Sequence, residues 1–331
     1  MIVVSAGCPS SVGPEVSVVA AARSRRRVVL VGSRRALLRA ALLYGIDAEQ
    51  FGVYEGSASR RLSILDSGPQ LKDADMRPGK PGKKAGVSQL LAVEEAFALA
   101  KREGVPMVTG PVSKAAIARC GLWRAANFRG HTEWLEKLDG APYSVMCFAS
   151  RKLNTSLVTT HLPISRVARA ITPDRVHRAT VELARLLQFK GTVKPRIAVA
   201  SLNPHAGEAK LLGGEEASAI AVGVRTARRE LRSGAILQGP LGAETAYRQA
   251  FAGQFDGVVA MYHDQATIPM KLVSFGDAVN VTMGLSVIRT SVDHGTAYDI
   301  AGQGCADPGG MASALRLAGT LHRQARAKLQ G

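Results

Sequence analysis

Three of the chain's seven histidines share one kind of context. "TSLVTTH" ends at His161, "RIAVASLNPH" at His205 and "GVVAMYH" at His263. Each follows a short apolar or β-branched run that reads as a strand, directly or after a turn. In open parallel α/β sheets, ligands bind outside the carboxyl ends of the strands. Three neutral imidazoles delivered there by separate strands suit one divalent ion such as zinc, with positions left open for substrate. No local spacing such as H-x-x-x-H ties the set together, so the alternative for each alone is a hydrogen-bonded loop residue. Asp264, directly after His263, reads either as a carboxylate orienting a neighbouring histidine or as a helix N-cap.

A second group of residues handles anions. Arg289 lies inside "SVIRTSV", where a cation in a buried strand needs a counter-charge or an anionic ligand. The structural alternative is a salt bridge to Asp293. Lys271 and Asn280 punctuate the apolar runs just upstream. "FRGHTEWLEKL" places His131 and Thr132 at a helix start, where free N–H groups attract anions. Thr132 as a plain N-cap would explain that residue equally. "TGPVSK" ends a strand at Thr109 and leads to Lys114, which faces either a carboxylate, a phosphate or solvent.

The elements that must carry these residues are legible as alternating strands and helices. Strand candidates are 2–5, 27–31, 105–109, 154–160, 196–201 and 257–261. Between them lie helical stretches such as "TPDRVHRATVELARLLQF". Thr172 is its N-cap, Pro173 opens it, and Val176, Ala179, Leu183, Leu186 and Leu187 line one face. His177 falls off that face. The alternation predicts an α/β fold with mainly parallel pairing. "DADMRPGKPGKKAG" (73–86) reads as a loop.

Composition bounds the rest. With 331 residues, 46% hydrophobic, the chain can bury a large core, and its length predicts division into two lobes. No apolar run is long enough to span a membrane. The opening "MIVVSAG" is strand-like with no basic leader, which predicts a cytoplasmic protein without a signal peptide. The four cysteines form no C-x-x-C pair and are expected as free thiols. The net charge of +17 is densest in "RSRRRVVLVGSRRALLRA", where no aromatics interleave, so a solvated face is expected there and no nucleic-acid partner. Neither a G-x-G-x-x-G after the first strand nor a Walker A loop is present.

Together, "VGPE", "PGKPGKKAG", "TGPVSK", "GHTEWL", "TTHLP", "LNPHAGE", "MYHDQ", "VNVTMGL" and "IRTSVDHGTAYDIAG" resemble, in order, the 4-hydroxythreonine-4-phosphate dehydrogenase family. The resemblance runs from about residue 5 to residue 315. It implies a two-lobed α/β/α architecture like that of isocitrate and isopropylmalate dehydrogenases, which accounts for the missing dinucleotide fingerprint. The expected lobes are 1–130 with 290–331, and 131–289, with the site in the cleft and at a homodimer interface. The implied reaction is NAD- or NADP-linked oxidation of 4-phosphohydroxy-L-threonine. The β-keto acid product loses CO2 to give 3-amino-2-oxopropyl phosphate for pyridoxal phosphate synthesis.

By motif matching, the resemblance assigns His161, His205 and His263 to one divalent metal (zinc, magnesium or cobalt). It assigns His131, Thr132, Lys271, Asn280 and Arg289 to a small phosphorylated substrate. Lys271, Glu244 and Asp264 are the candidate catalytic residues; no cofactor-binding residue is assigned. Two departures bear on the substrate. "GCPSSVGPE" carries Cys8 and Ser11 where the family has an acidic residue and a glycine, and Glu244 stands in "GAETAY" where the family has aspartate. Alternatives are therefore a dehydrogenase of a four-carbon sugar-acid phosphate or an aromatic cis-dihydrodiol, or a non-catalytic paralogue binding a phosphorylated metabolite.

Overall fold

The structure, a computed structural model, describes residues 1–56, 60–274 and 276–330. The chain forms two compact units: Met1–Ser144 with Leu285–His322, and Val145–Gly284 with the residues from Arg323 on. The first unit opens with β1 (Ile2–Ser5), α1 (Gly13–Arg23), β2 (Val28–Gly32) and α2 (Arg34–Leu43). It continues through β3 (Phe51–Val53), β4 (Leu62–Asp66), α3 (Lys83–Glu103), β5 (Met107–Thr109), α4 (Lys114–Ala118) and α5 (His131–Asp139). The second unit runs through β6 (Val145–Ala149), β7 (Asn154–Leu157), α6 (Ile164–Ala170), α7 (Pro173–Phe189), β8 (Arg196–Ala200) and α8 (Ala221–Leu231). Then come β9 (Ile236–Leu241), α9 (Ala243–Phe251), β10 (Gly257–Ala260), α10 (His263–Ser274) and β11 (Val279–Met283). The chain returns to the first unit with β12 (Arg289–Ser291) and most of α11 (Gly309–Gln330).

In the first unit the strand order is β3-β4-β2-β1-β5-β12, with every pair parallel. Parallel strands covered on both faces read as continuous apolar runs, and Val3, Val29, Val31 and Met107 are fully buried against α3 residues such as Leu90, Val93 and Phe97. The loops after β1 and β5 approach so closely that a Cβ on Gly7 (φ +80°) would lie 2.3 Å from the Pro111 carbonyl oxygen. Only glycine fits that left-handed turn.

In the second unit the order is β11-β6-β7-β10-β8-β9. β6 is antiparallel to both β11 and β7, and the remaining pairs are parallel. The α/β class and mainly parallel pairing expected from the sequence are therefore observed. α7 behaves as its sequence predicts: Thr172 Oγ1 accepts from the Arg175 N–H, and Val176, Ala179, Leu183, Leu186 and Leu187 are buried. His177 is half-buried and bonded to Glu230 at 2.6 Å.

The expected lobe boundaries shift. α5 stays with the first unit because Trp134 and Leu135 complete its core, and β12 stays because it pairs with β5. His131, Thr132 and Arg289, placed in or at the end of the second lobe by sequence, thus belong to the first unit. The stretch 73–86 is not all loop: residues 73–76 form a short 3-10 turn and Lys83 starts α3. The cysteines are free, with Cys305 exposed and the other three buried. Among the described residues no helix is long and apolar enough to cross a membrane.

Candidate active site

The second unit presents its three candidate metal histidines from adjacent strands. β7, β10 and β8 lie side by side and parallel, so their carboxyl ends share one edge of the sheet. His161, His263 and His205 follow those three ends. Past β7 and β10 the ladder continues: Val158 N–H donates to the Ala260 carbonyl at 2.8 Å, and Thr159 Oγ1 donates to the Met261 carbonyl at 2.7 Å. This extension holds the His161 loop against the start of α10, and the His161 and His263 ring centroids lie 5.4 Å apart.

Asp264 lies inside the first turn of α10, which begins at His263, so the N-cap alternative does not hold. Its Oδ1 is 2.7 Å from His263 Nδ1. With the proton on Nδ1, the ring donates to the carboxylate and keeps its Nε2 lone pair for a ligand. Gln265 ties two strand ends together: its Oε1 accepts from Met261 N–H at 2.6 Å and its Nε2 donates to the Ser201 carbonyl at 2.9 Å.

His205 arrives on an unusual backbone. Residues His205 to Lys210 all have positive φ, with His205 at 51°. The structure brings His161 and His263 together; His205 shares their edge without completing a three-donor group. Among the described residues no set of three or more His, Cys, Asp or Glu is placed to hold a metal ion. The donor chemistry nevertheless fits a divalent ion: two paired imidazoles, one oriented by a carboxylate, and a third imidazole on the adjoining loop.

The other second-unit candidates differ in setting. Asn280, on β11, has a buried Oδ1 with no hydrogen-bond partner among the described residues, an acceptor left for a ligand donor. Lys271 is exposed on α10. Glu244, in the first turn of α9, is 76% exposed and paired with Arg248 at 3.0 Å. Its carboxylate is thus engaged along its own helix rather than with the histidines.

The first unit gathers cations around a neutral histidine. Arg289 is 3% exposed, and its Nε and Nη2 donate to Thr109 Oγ1 at 3.1 and 2.6 Å. Burial lowers its pKa to about 10, with the Glu133 carboxylate opposing. His131 opens α5, as its sequence context predicts, with Thr132 beside it. The histidine is half-buried, and its Nε2 is buried without a hydrogen-bond partner among the described residues. Burial, reinforced by Arg289 and Lys114, holds its pKa well below the ordinary imidazole value. The imidazole is therefore neutral at pH 7 beside the cationic Arg289. Cys8 cannot replace the acidic residue expected there: burial pushes its thiol pKa up, and its Sγ lies 3.7 Å from the Tyr298 hydroxyl.

Gln265 and the buried Glu216 were missed by sequence reasoning. Gln265 sits in a motif already singled out, and its tie between strand ends needs their adjacency to be known. Glu216 sits in "GGEE", outside every motif singled out in the sequence.

Comparison with known proteins gives a consistent picture. A family model described as pyridoxal phosphate biosynthetic protein PdxA matches residues 24–318. A Geobacter metallireducens protein named 4-hydroxythreonine-4-phosphate dehydrogenase is 39% identical, covering 97% of this chain and 95% of its own. A crystal structure of 4-hydroxythreonine-4-phosphate dehydrogenase from Klebsiella pneumoniae is 35% identical with a TM-score of 0.83, covering 97% of this chain and 99% of its own. A terephthalate 1,2-cis-dihydrodiol dehydrogenase from Burkholderia xenovorans is 28% identical with a TM-score of 0.70, covering 96% and 97%.

Proposed function

The chain belongs to the pyridoxal phosphate biosynthetic protein PdxA family, and on that premise we propose that it oxidises the secondary alcohol of 4-phosphohydroxy-L-threonine with NAD or NADP. The β-keto acid formed loses CO2 to give 3-amino-2-oxopropyl phosphate. The observation that carries this reading is the His161–His263 pair, 5.4 Å ring to ring, with Asp264 on Nδ1 of His263. An alcohol dehydrogenase needs a means of making the hydroxyl acidic, and a divalent ion held at this pair would provide it.

His161, His205 and His263 would hold the divalent ion, whose chemistry is to lower the pKa of an alcohol and stabilise the negative charge left as CO2 departs. Asp264 fixes the tautomer and direction of His263. Arg289 and Lys271 bind the anionic ends of the substrate by charge-assisted hydrogen bonds. His131 and Thr132 add contacts at the α5 start, where neutral His131 either donates or accepts without like-charge repulsion from Arg289. Asn280 Oδ1 accepts from a substrate N–H or O–H. Glu244 is assigned the weakest catalytic role, since Arg248 already neutralises it. The active assembly is proposed to be a homodimer.

A second reading keeps the dehydrogenase and changes the alcohol. Its support is the buried Cys8 in place of an acid, the engaged Glu244, and the dihydrodiol dehydrogenase among the structural relatives. The test is a panel of alcohols with each nicotinamide cofactor and added zinc, magnesium or cobalt, followed by reduced-nicotinamide absorbance. Turnover of the phosphorylated amino acid supports the first reading. Turnover confined to a sugar-acid phosphate or a dihydrodiol supports the second, and no turnover with any member returns the chain to a binding role.

A further inference from the structure

Glu216 is 6% exposed, and no cation lies within ion-pair distance of it among the described residues. A buried carboxylate without a counter-charge requires other compensation. Here it is backbone and amide N–H. Oε1 accepts from Leu202 N–H at 3.0 Å and Asn203 N–H at 2.8 Å, and Oε2 accepts from Asn203 Nδ2 at 3.0 Å. Asn203 also donates to Glu215 Oε2 at 2.9 Å, and Ser201 Oγ donates to the Asn203 carbonyl at 2.8 Å.

These contacts fix the two residues from which the chain turns, through Pro204, into the left-handed segment His205 to Lys210. The same carboxylate also meets the middle of that segment. A Cβ on Gly207 (φ +81°) would lie 2.8 Å from Glu216 Oε2, so a side chain there would have to displace the carboxylate. The far side of the turn is held by Leu211 N–H to the Glu208 carbonyl and Leu212 N–H to the Gly207 carbonyl, at 3.0 and 3.1 Å. Glutamine at 216 would present an NH2 group where Asn203 Nδ2 or a backbone N–H now donates. Aspartate would lack the reach.

We infer that Glu216 is the positioning residue for His205, fixing the backbone that delivers this third imidazole to the edge where His161 and His263 already pair. This rests on the proposed role of the three histidines as metal ligands. The carboxylate acts through His205 and touches neither substrate nor ion.

The test is a double-mutant cycle on the full-length, metal-stripped protein, titrated calorimetrically with zinc alone. His205→Ala and Glu216→Gln are each expected to weaken zinc binding, the latter by about 10–100-fold, the range for residues that orient metal ligands. The double variant is expected to bind no worse than His205→Ala, because Glu216 acts only through that ring. Gly207→Ala disturbs the same contact from the other side and should give the same loss and the same non-additivity; it also serves if Glu216→Gln does not fold. Amide exchange across residues 202–212 should speed up in both variants without metal, a change a remote stability effect would not confine to this loop.

Wild-type zinc affinity in Glu216→Gln and Gly207→Ala, with His205→Ala impaired, would overturn the inference and leave the metal reading standing. A further loss added on top of His205→Ala would also overturn it. Undiminished affinity in His205→Ala would overturn the metal reading and the inference with it, whereas faster exchange at 202–212 in Glu216→Gln would still establish the clamp on the loop.

Discussion

Two side chains in the first unit set opposite requirements on charge. Arg289 is a buried cation whose Nε and Nη2 donate to a hydroxyl, Thr109 Oγ1. Removing one partner of a buried charge-assisted contact typically costs on the order of 2–5 kcal/mol. Arg289→Met keeps much of the apolar stem and is expected to lower kcat/KM for a phosphorylated substrate more than tenfold. The KM for the nicotinamide cofactor should stay nearly constant in the same steady-state measurement. His131 is the converse, a histidine that the fold keeps neutral. Its folded pKa lies below its unfolded value of 6.5, so at acid pH the unfolded chain binds a proton that the folded chain refuses. Stability is therefore unaffected by this group above that value and falls as pH drops below it, toward the folded pKa. His131→Gln should flatten the acid-side loss of stability in denaturant titrations run from pH 7 downward. An unchanged slope would mean that the ring titrates normally.

The six-residue turn from His205 is the most costly element in the second unit. A non-glycine residue in the left-handed region is disfavoured by roughly 1–2 kcal/mol, and His205, Ala206, Glu208, Ala209 and Lys210 all sit there. Ala209→Gly is expected to raise stability by up to about 1 kcal/mol in urea titrations, since glycine adopts this backbone freely. A loss of stability would show the alanine methyl to be packed after all. This turn also marks the limit of what the sequence discloses. The runs at β1, β8 and β10 are legible because parallel strands buried on both faces are continuously apolar, and α7 is legible from its cap and its period. β9 is not, because Gly239 and Pro240 interrupt it, whereas the strand around Arg289 is legible from the apolar run "SVIRTSV" that encloses the cation. The three histidines are visible as strand-end residues, but their strands are adjacent only through a pairing order, β7-β10-β8, that no local feature encodes. The two roles open to Asp264 are separated only by where α10 starts. Glu216 was hidden because its burial is produced by the very loop it holds.

At the scale of the whole chain, the net charge of +17 acts on any anionic substrate before contact. Electrostatic steering is screened beyond about 8 Å at physiological ionic strength. Raising salt is therefore expected to lower kcat/KM for a phosphorylated alcohol while leaving an uncharged diol little affected, a comparison that stopped-flow or initial-rate measurements at two ionic strengths would make. The pairing of His161 with His263 within one chain also bears on subunit mixing. Each of His161→Ala and His263→Ala damages the same pair in its own subunit. Mixing the two inactive proteins under conditions of proven subunit exchange should leave activity absent, and recovery would mean that the two rings serve different centres.

The order in which the residues leave the ribosome adds one more constraint. Residues 145–284 emerge as an uninterrupted stretch containing every strand of the second unit, whereas the first unit waits for residues 285–322. Until β12 is translated, β5 has an open flank with unpaired N–H and C=O groups, the kind of edge on which nascent chains associate wrongly. The strands of the second unit are thus all translated before the amino-terminal unit receives β12. A premature stop anywhere before codon 289 would release a protein whose first unit lacks β12, and with it the buried Arg289.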